Sequence, residues 1–330
     1  MRHSSRLRSP LGLSTERGAA NLSSPARRVR SPSTPRHRLV PLRERMPDSG
    51  GVFDVWTTAD LRAAGLSARD IRVALASGRL IRTRRGHYVA GEAPVALRVA
   101  ARVGGRLGCT SLLAALGGFV FDGSQVHVHM ERGDSRMRGI SSRRLESPER
   151  RSVVLHWRRF VEPPASGAVH VRDALLSAVR CQSPRHAVAT LDSALHLRLI
   201  CAADLGDIFA ALPQRFLSLR PLLDGRAESG TETLVRLMVR SLGHSVEPQE
   251  TIAGVGRVDL LVDGWLVVEC DSREFHASWE QRRTDLRRDR QLAALGYSVL
   301  RLTADEILYR PDLVIAALRG LLGSSRRPTS

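Results

Sequence analysis

Two apolar runs interrupted by acids, Val258-Asp259-Leu260-Leu261-Val262 and Trp265-Leu266-Val267-Val268-Glu269-Cys270-Asp271, restrict the fold more than any other stretch. Joined through Asp263-Gly264, they read as a β-hairpin at the centre of a sheet. Strands this apolar are buried on both faces, so a carboxylate inside one carries a desolvation cost. A hard divalent cation is the usual way to offset that cost. Glu269 and Asp271 are two residues apart and therefore project to one face of their strand. Asp259 reaches that face only if the turn has odd parity. A plain two-residue turn at Asp263-Gly264 sets Asp259 opposite Val268, on the wrong side. A three-residue loop of Val262-Asp263-Gly264 with Gly264 left-handed, or a bulge, sets it opposite Val267 on the same side as Glu269. An odd loop or a bulge is therefore expected.

A chain of 330 residues predicts two or three domains with a sizeable core. All 51 basic side chains are arginine, and the formal net charge is +18. The absence of lysine excludes Schiff-base chemistry, a phosphate-loop lysine and a lysine general base. Arginine stays protonated and suits phosphate recognition. The balance favours a polyanionic partner, most simply nucleic acid, although part of the arginine bias reflects a GC-rich genome. Cys109, Cys181, Cys201 and Cys270 are scattered with no pair at metal-ligand spacing, and fit reduced, buried residues of a cytoplasmic protein. No apolar run is long enough to span a membrane, and no apolar signal-peptide core is seen. The expected setting is cytoplasmic and nucleoid-associated, with no membrane partner.

Residues 1–48 form an Arg/Ser/Pro-rich segment with too little apolar surface to fold. It reads as a nucleic-acid-binding tail, an organelle presequence or translated upstream sequence; the last, with a start at Met46, is preferred. From Trp56 the pattern turns compact. Thr57–Asp60 and Ser67–Asp70 are capping boxes opening two short helices, the first ending near Gly65 and the second at Gly78. Arg79–Arg82, a turn at Arg84-Arg85-Gly86 and His87–Val89 read as a hairpin. Residues 49–92 thus describe a winged helix-turn-helix. Arg69 and Arg72 face out from the second helix, and Arg82, Arg84 and Arg85 lie on the wing, placed for a major groove and its flanking phosphates. The run TTADLRAAGLSARDIRVALASGRLIRTRRGHYV resembles the N-terminal domain of AbiEi-type antitoxins across about residues 53–92. That resemblance implies DNA binding and, in antitoxins, self-repression of an operon. A protein-contact role for the same fold is the alternative.

Residues 93–227 read as a mostly helical connector or an antitoxin-like domain. Helices are expected at 94–103, 110–116, 171–180, 185–199 and 202–212, with strands at 125–130 and 153–157. An arginine-rich loop holding Arg132, Arg136, Arg138, Arg143, Arg144, Arg150 and Arg151 joins the strands, and is as readily solvated as phosphate-binding. His127 and His129 lie two apart, a spacing metal sites use, but no third ligand is evident and ordinary packed histidines are expected. No catalytic site is read here.

Residues 228–323 read as helix, three strands, long helix, strand and final helix, followed by a disordered tail at 324–330. This α-β-β-β-α-β order is the core of restriction-endonuclease-like nucleases of the PD-(D/E)XK type, giving a mixed α+β and α/β multidomain chain. Glu232, Val258-Asp259, Glu269-Cys270-Asp271, His276, Asp285-x-x-Arg288-Asp289-x-x-Leu292 and Gly296-Tyr297-x-Val-Leu-Arg301 resemble a family similar to very-short-patch-repair endonucleases. The resemblance implies Mg²⁺ (or Mn²⁺) on Asp259 and Glu269, with Glu232 or Asp271 completing the shell. Metal hydroxide, a carboxylate or His276 would take the proton, and Arg288 or Arg301 would neutralise phosphate charge. Two departures stand out: Ser272 replaces the usual glycine, and Asp271 stands where the wider superfamily has lysine. Each residue also has a plainer reading. Glu232 can stabilise a helix N-terminus, Asp285 and Asp289 can form ion pairs beside Arg288, His276 can cap a loop, and Asp271 can end a strand.

The expected function is a DNA-binding protein with a metal-dependent endonuclease domain, in a defence or toxin–antitoxin setting with a toxin or homodimer partner. The alternative is an antitoxin-type regulator whose nuclease fold is inactive. RNA as the substrate stays open.

Overall fold

The computed structural model describes residues 51–131, 133, 137–139, 152–271 and 279–323, with side chains described from 283 onward in the last stretch. The segments 1–48 and 324–330, most of the arginine-rich loop and His276 lie outside the described residues. Among the described residues no helix is long and apolar enough to cross a membrane.

Both capping boxes form. Strand β1 (Trp56–Thr57) leads into α1 (Thr58–Ala63), where Thr57 and Asp60 cap one another, and Ser67 with Asp70 does the same for α2 (Ala68–Ala76). Such a box satisfies two backbone N–H groups that a helix start leaves unpaired. Strands β2 (Leu80–Arg84) and β3 (His87–Ala90) pair as the expected hairpin, and β1 adds to β3 to give the order β1-β3-β2. Trp56, Leu61, Leu66, Ile71, Ala74, Leu80 and Tyr88 bury themselves between helices and sheet.

The middle region follows with α3 (Val95–Val103), β4 (Arg106–Leu107), α4 (Cys109–Ala115), β5 (Val126–His129) and β6 (Val153–His156). It continues through α5 (Val171–Cys181), α6 (Pro184–His196), α7 (Asp204–Ala210) and a 3-10 helix at Gln214–Leu222. The short β4 and the 3-10 helix were not expected; two residues carry no readable period. Strands run in the order β4-β5-β6, with β5 and β6 parallel. His127 and His129 are both buried. His129 Nε2 lies 2.8 Å from the Arg158 carbonyl and its ring stacks on Phe160. The cysteines do not all follow expectation: Cys109 and Cys270 are buried, but Cys181 and Cys201 are exposed.

The C-terminal region comprises α8 (Gly230–Ser241), β7 (Val246–Ile252), β8 (Gly256–Val262), β9 (Leu266–Asp271), α9 (Trp279–Ala294), β10 (Ser298–Thr303), α10 (Ala304–Tyr309) and α11 (Pro311–Gly323). The sheet order is β10-β9-β8-β7, with β10 parallel to β9 and the other neighbours antiparallel. Leu266, Val268 and Cys270 of β9 pack with Leu234, Val235, Met238 and Val239 of α8. Val267 packs on the opposite face with Leu292 of α9. β9 is therefore buried on both sides, as its apolar run predicts.

One ion pair joins α8 to α6. Arg236 and Asp192 are each 1% exposed, with Arg236 Nη2 2.7 Å from Asp192 Oδ2. Asp192 also accepts from Thr233 Oγ1 at 3.0 Å and from the Asp224 N–H at 2.8 Å. Burial still pushes its carboxyl up to about 6. Gly230, at the start of α8, sits against the Phe119 ring: a Cβ there would lie 2.1 Å from a ring carbon. Only glycine lets the helix approach so closely.

Candidate functional site

The β8–β9 turn decides where the acids go. Val262 pairs with Leu266, Leu261 with Val267 and Leu260 with Val268, so the loop is Asp263-Gly264-Trp265. Its parity is odd, and Gly264 is left-handed at φ 75°, as expected. The loop lies one residue further on than expected, because Asp263 also takes a left-handed φ of 47°. Asp263 holds that conformation by accepting from Ser245 N and Oγ, with His244 Nδ1 2.6 Å away. The pairing runs as far as Leu260–Val268, one residue short of Asp259 and Glu269, and there Asp259 Oδ2 accepts from the Cys270 N–H. The two carboxylates lie close enough for Asp259 to act directly on Glu269.

Glu269 is 6% exposed, and Asp259 is half-buried, its Oδ2 accepting from the Cys270 N–H at 2.8 Å. Burial and the nearby Asp259 carboxylate push the Glu269 carboxyl up to about 7, against the pull of Arg288 and Arg301. Arg288, from α9, brings Nη2 to 3.0 Å from Glu269 Oε1. That approach lacks hydrogen-bond alignment, so Oε1 has no donor, and the Arg288 guanidinium donates instead to the Arg257 carbonyl.

The other expected residues divide. Glu232 is 5% exposed at the first turn of α8, where it accepts from the Glu228 N–H, Ser229 Oγ and Gln249 Nε2. Burial raises its carboxyl, and Asp259 adds to the rise. Asp271 lies at the exposed end of β9, with Arg301 Nη1 3.8 Å away. Arg301 itself is committed to Asp289, at 2.7 Å, and that hydrogen bond holds its guanidinium firmly protonated. Asp285 is half-buried on α9. Gln249 was not anticipated. It has a left-handed φ of 58° in β7, between the pairs Pro248–Leu260 and Glu250–Val258, and steadies Glu232. A lone glutamine in a strand gives no sequence signal for that role.

A divalent cation can be tested against these donors. The set is all carboxylate oxygen, which suits Mg²⁺ or Mn²⁺. A close carboxylate pair, one member buried and raised by the other's charge, with one oxygen lacking a donor, is what such an ion relieves. Asp259 and Glu269 therefore fit as its ligands. Glu232 accepts three hydrogen bonds, only one of them on Oε1, Asp271 has Arg301 3.8 Å away, and both carboxylates act on the Cys270 thiol together with Asp259 and Glu269. The Arg288 guanidinium supplies the positive charge beside Glu269 in this structure.

At the other end of the chain, Arg69, Arg72, Arg82 and Arg85 are exposed. Arg84 instead folds back, its Nη2 3.2 Å from His87 Nε2 and its Nη1 over Gly104.

Two relatives from Mycobacterium tuberculosis, the uncharacterized proteins MT2308 (strain CDC 1551 / Oshkosh) and Rv2248 (strain ATCC 25618 / H37Rv), are each 29% identical to this chain over 276 residues. The alignment covers 79% of this chain and 99% of each relative. No solved structure matches it. Residues 232–322 match the family model REase_MTES_1575, which begins at Glu232 and takes in the hairpin, α9 and β10. The C-terminal region is therefore restriction-endonuclease-like, a nuclease-like domain.

Proposed function

We propose that this chain binds DNA and hydrolyses its phosphodiester bonds with a divalent cation held by Asp259 and Glu269. The observation that carries the reading is the Asp259–Glu269 carboxylate pair just beyond a three-residue turn, with Glu269 buried under the repulsion of Asp259 and one of its oxygens without a donor. A bound Mg²⁺ or Mn²⁺ would supply Lewis acidity toward the scissile phosphate and acidify a bound water. The chain's own residues orient and bind. Gln249 and Ser229 fix Glu232 at the edge of the pair. Arg288 is the cation nearest a phosphate placed over Glu269, and Arg301 is steadied by Asp289 for the same kind of contact. His276 remains a candidate proton acceptor. The exposed Arg69, Arg72, Arg82 and Arg85 supply the DNA-binding surface, on a helix-turn-helix followed by a hairpin. With the resemblance of residues 53–92 to AbiEi-type antitoxins, this favours a defence or toxin–antitoxin role.

A second reading is favoured by one contact. The Arg288–Glu269 approach supplies internally the charge a metal would bring, as it would in a DNA-binding regulator whose nuclease fold is silent. Incubating the purified chain with supercoiled plasmid, with and without Mg²⁺ or Mn²⁺, separates the two. Nicking or linearisation that needs metal and disappears in Asp259→Ala is expected. Retarded but uncut plasmid under every metal would give the regulator reading, and cutting of RNA alone would change the substrate.

A further inference from the structure

Four side chains from distant parts of the middle region converge without any role in the acidic site. Cys109 opens α4, His127 lies in β5, His156 ends β6 and Cys181 ends α5. One ligand atom from each lies within 4.8 Å of all the others. His127 Nδ1 is 3.0 Å from His156 Nε2, and Cys181 Sγ is 3.7 Å from His127 Nδ1. Zinc bound to nitrogen at about 2.0–2.1 Å and to thiolate at about 2.3 Å gives tetrahedral edges of about 3.3–3.8 Å. The two separations lie close to those edges, and the convergence of all four ligand atoms within 4.8 Å is more than the imidazole–imidazole and thiol–imidazole hydrogen bonds require.

We propose that Cys109, His127, His156 and Cys181 bind one zinc ion in a closed, structural site. Two thiolates and two neutral imidazoles are the donor set zinc prefers over Mg²⁺, and the two thiolate charges balance the ion. Four protein ligands leave no open position, so the site holds the fold together and does no hydrolysis. Cys109 and His127 are buried, His156 is half-buried and Cys181 is exposed. A cavity of about 240 Å³, lined in part by His127, Cys181, Asp122 and Gln182, provides the way in. Cys109 has a left-handed φ of 50°. A non-glycine residue keeps that conformation where its surroundings hold it, and here it belongs to the convergent set. The ion would join two helices and two parallel strands, clamping β6 although 29 residues separate its histidine from His127. Metal bridging across such a separation replaces packing that short strands cannot supply.

The test uses the full chain, purified without added metal or chelator under reducing conditions. Elemental analysis should find about one zinc per chain. Cobalt replacement should give the intense visible bands of a tetrahedral thiolate site, with thiolate-to-cobalt charge transfer in the near ultraviolet. Chelator should lower the Tm of the unaltered chain by more than about 5 °C. Cys181→Ser, at an exposed helix end, should keep the helical circular dichroism, lose the cobalt bands and become insensitive to chelator. His156→Gln provides a second variant with the same expected loss. The proposal is overturned by a metal-free chain that takes up no tetrahedral cobalt, or by a Tm indifferent to chelator. A Cys109–Cys181 disulfide surviving those conditions would also overturn it. None of these results depends on cleavage, so the proposal stands apart from the acidic site.

Discussion

Asp192→Ala is expected to cost about 3–5 kcal/mol of folding stability, enough to unfold much of the chain under mild denaturant. The reason is the partner it leaves behind. Arg236 is 1% exposed and cannot shed its proton, so removing the carboxylate strands a buried positive charge between α6 and α8. Thr233 Oγ1 and the Asp224 N–H would lose their acceptor in the same step. Replacing both charges, Asp192→Leu with Arg236→Met, should recover part of the loss but not all of it. The apolar pair removes the stranded charge and still leaves Thr233 and Asp224 without partners. Urea titrations followed by circular dichroism check both variants. Equal stability of the single variant and the unaltered chain would mean that Asp192 is not the joint between the two regions.

Glu269→Gln should behave in the opposite way. Taking the charge from the buried glutamate ends its repulsion with Asp259, so Tm should hold or rise. Metal-dependent cleavage should fall by at least about 10²–10³-fold, the loss typical of one electrostatic contributor in an active site. Stability and activity moving in opposite directions is the signature of a site kept strained for function. Thermal melts beside plasmid-cleavage rates read both. A drop in Tm with cleavage unchanged would assign Glu269 to packing.

Much of the fold was legible because its signals are local. The capping boxes at Thr57 and Ser67 start α1 and α2 where expected, and glycines at 65, 78 and 86 take positive φ where helices and hairpin turn. The odd parity of the β8–β9 turn followed from requiring the acids to share a face. Its position was one residue off because Asp263 accepts a left-handed backbone in exchange for three polar partners, one of them 19 residues away. What was not legible is long-range. Nothing near Cys109 announces His127, His156 or Cys181, since zinc motifs are recognised by short spacings that are absent here. Gln249 acquires its place only when β7 folds beside α8. Arg84 reads as one more basic residue of the hairpin until Gly104 offers it a close seat.

The central claim is that Asp259 and Glu269 together make a cation site. Titrating Mn²⁺ into the full chain, followed by the loss of its free paramagnetic resonance signal, tests that with no substrate present. The account predicts saturable binding with Kd below about 1 mM, abolished in Asp259→Ala while Tm stays within a few degrees. Identical titrations for the unaltered chain and Asp259→Ala would contradict it, leaving the charge of the buried glutamate to Arg288 and Arg301.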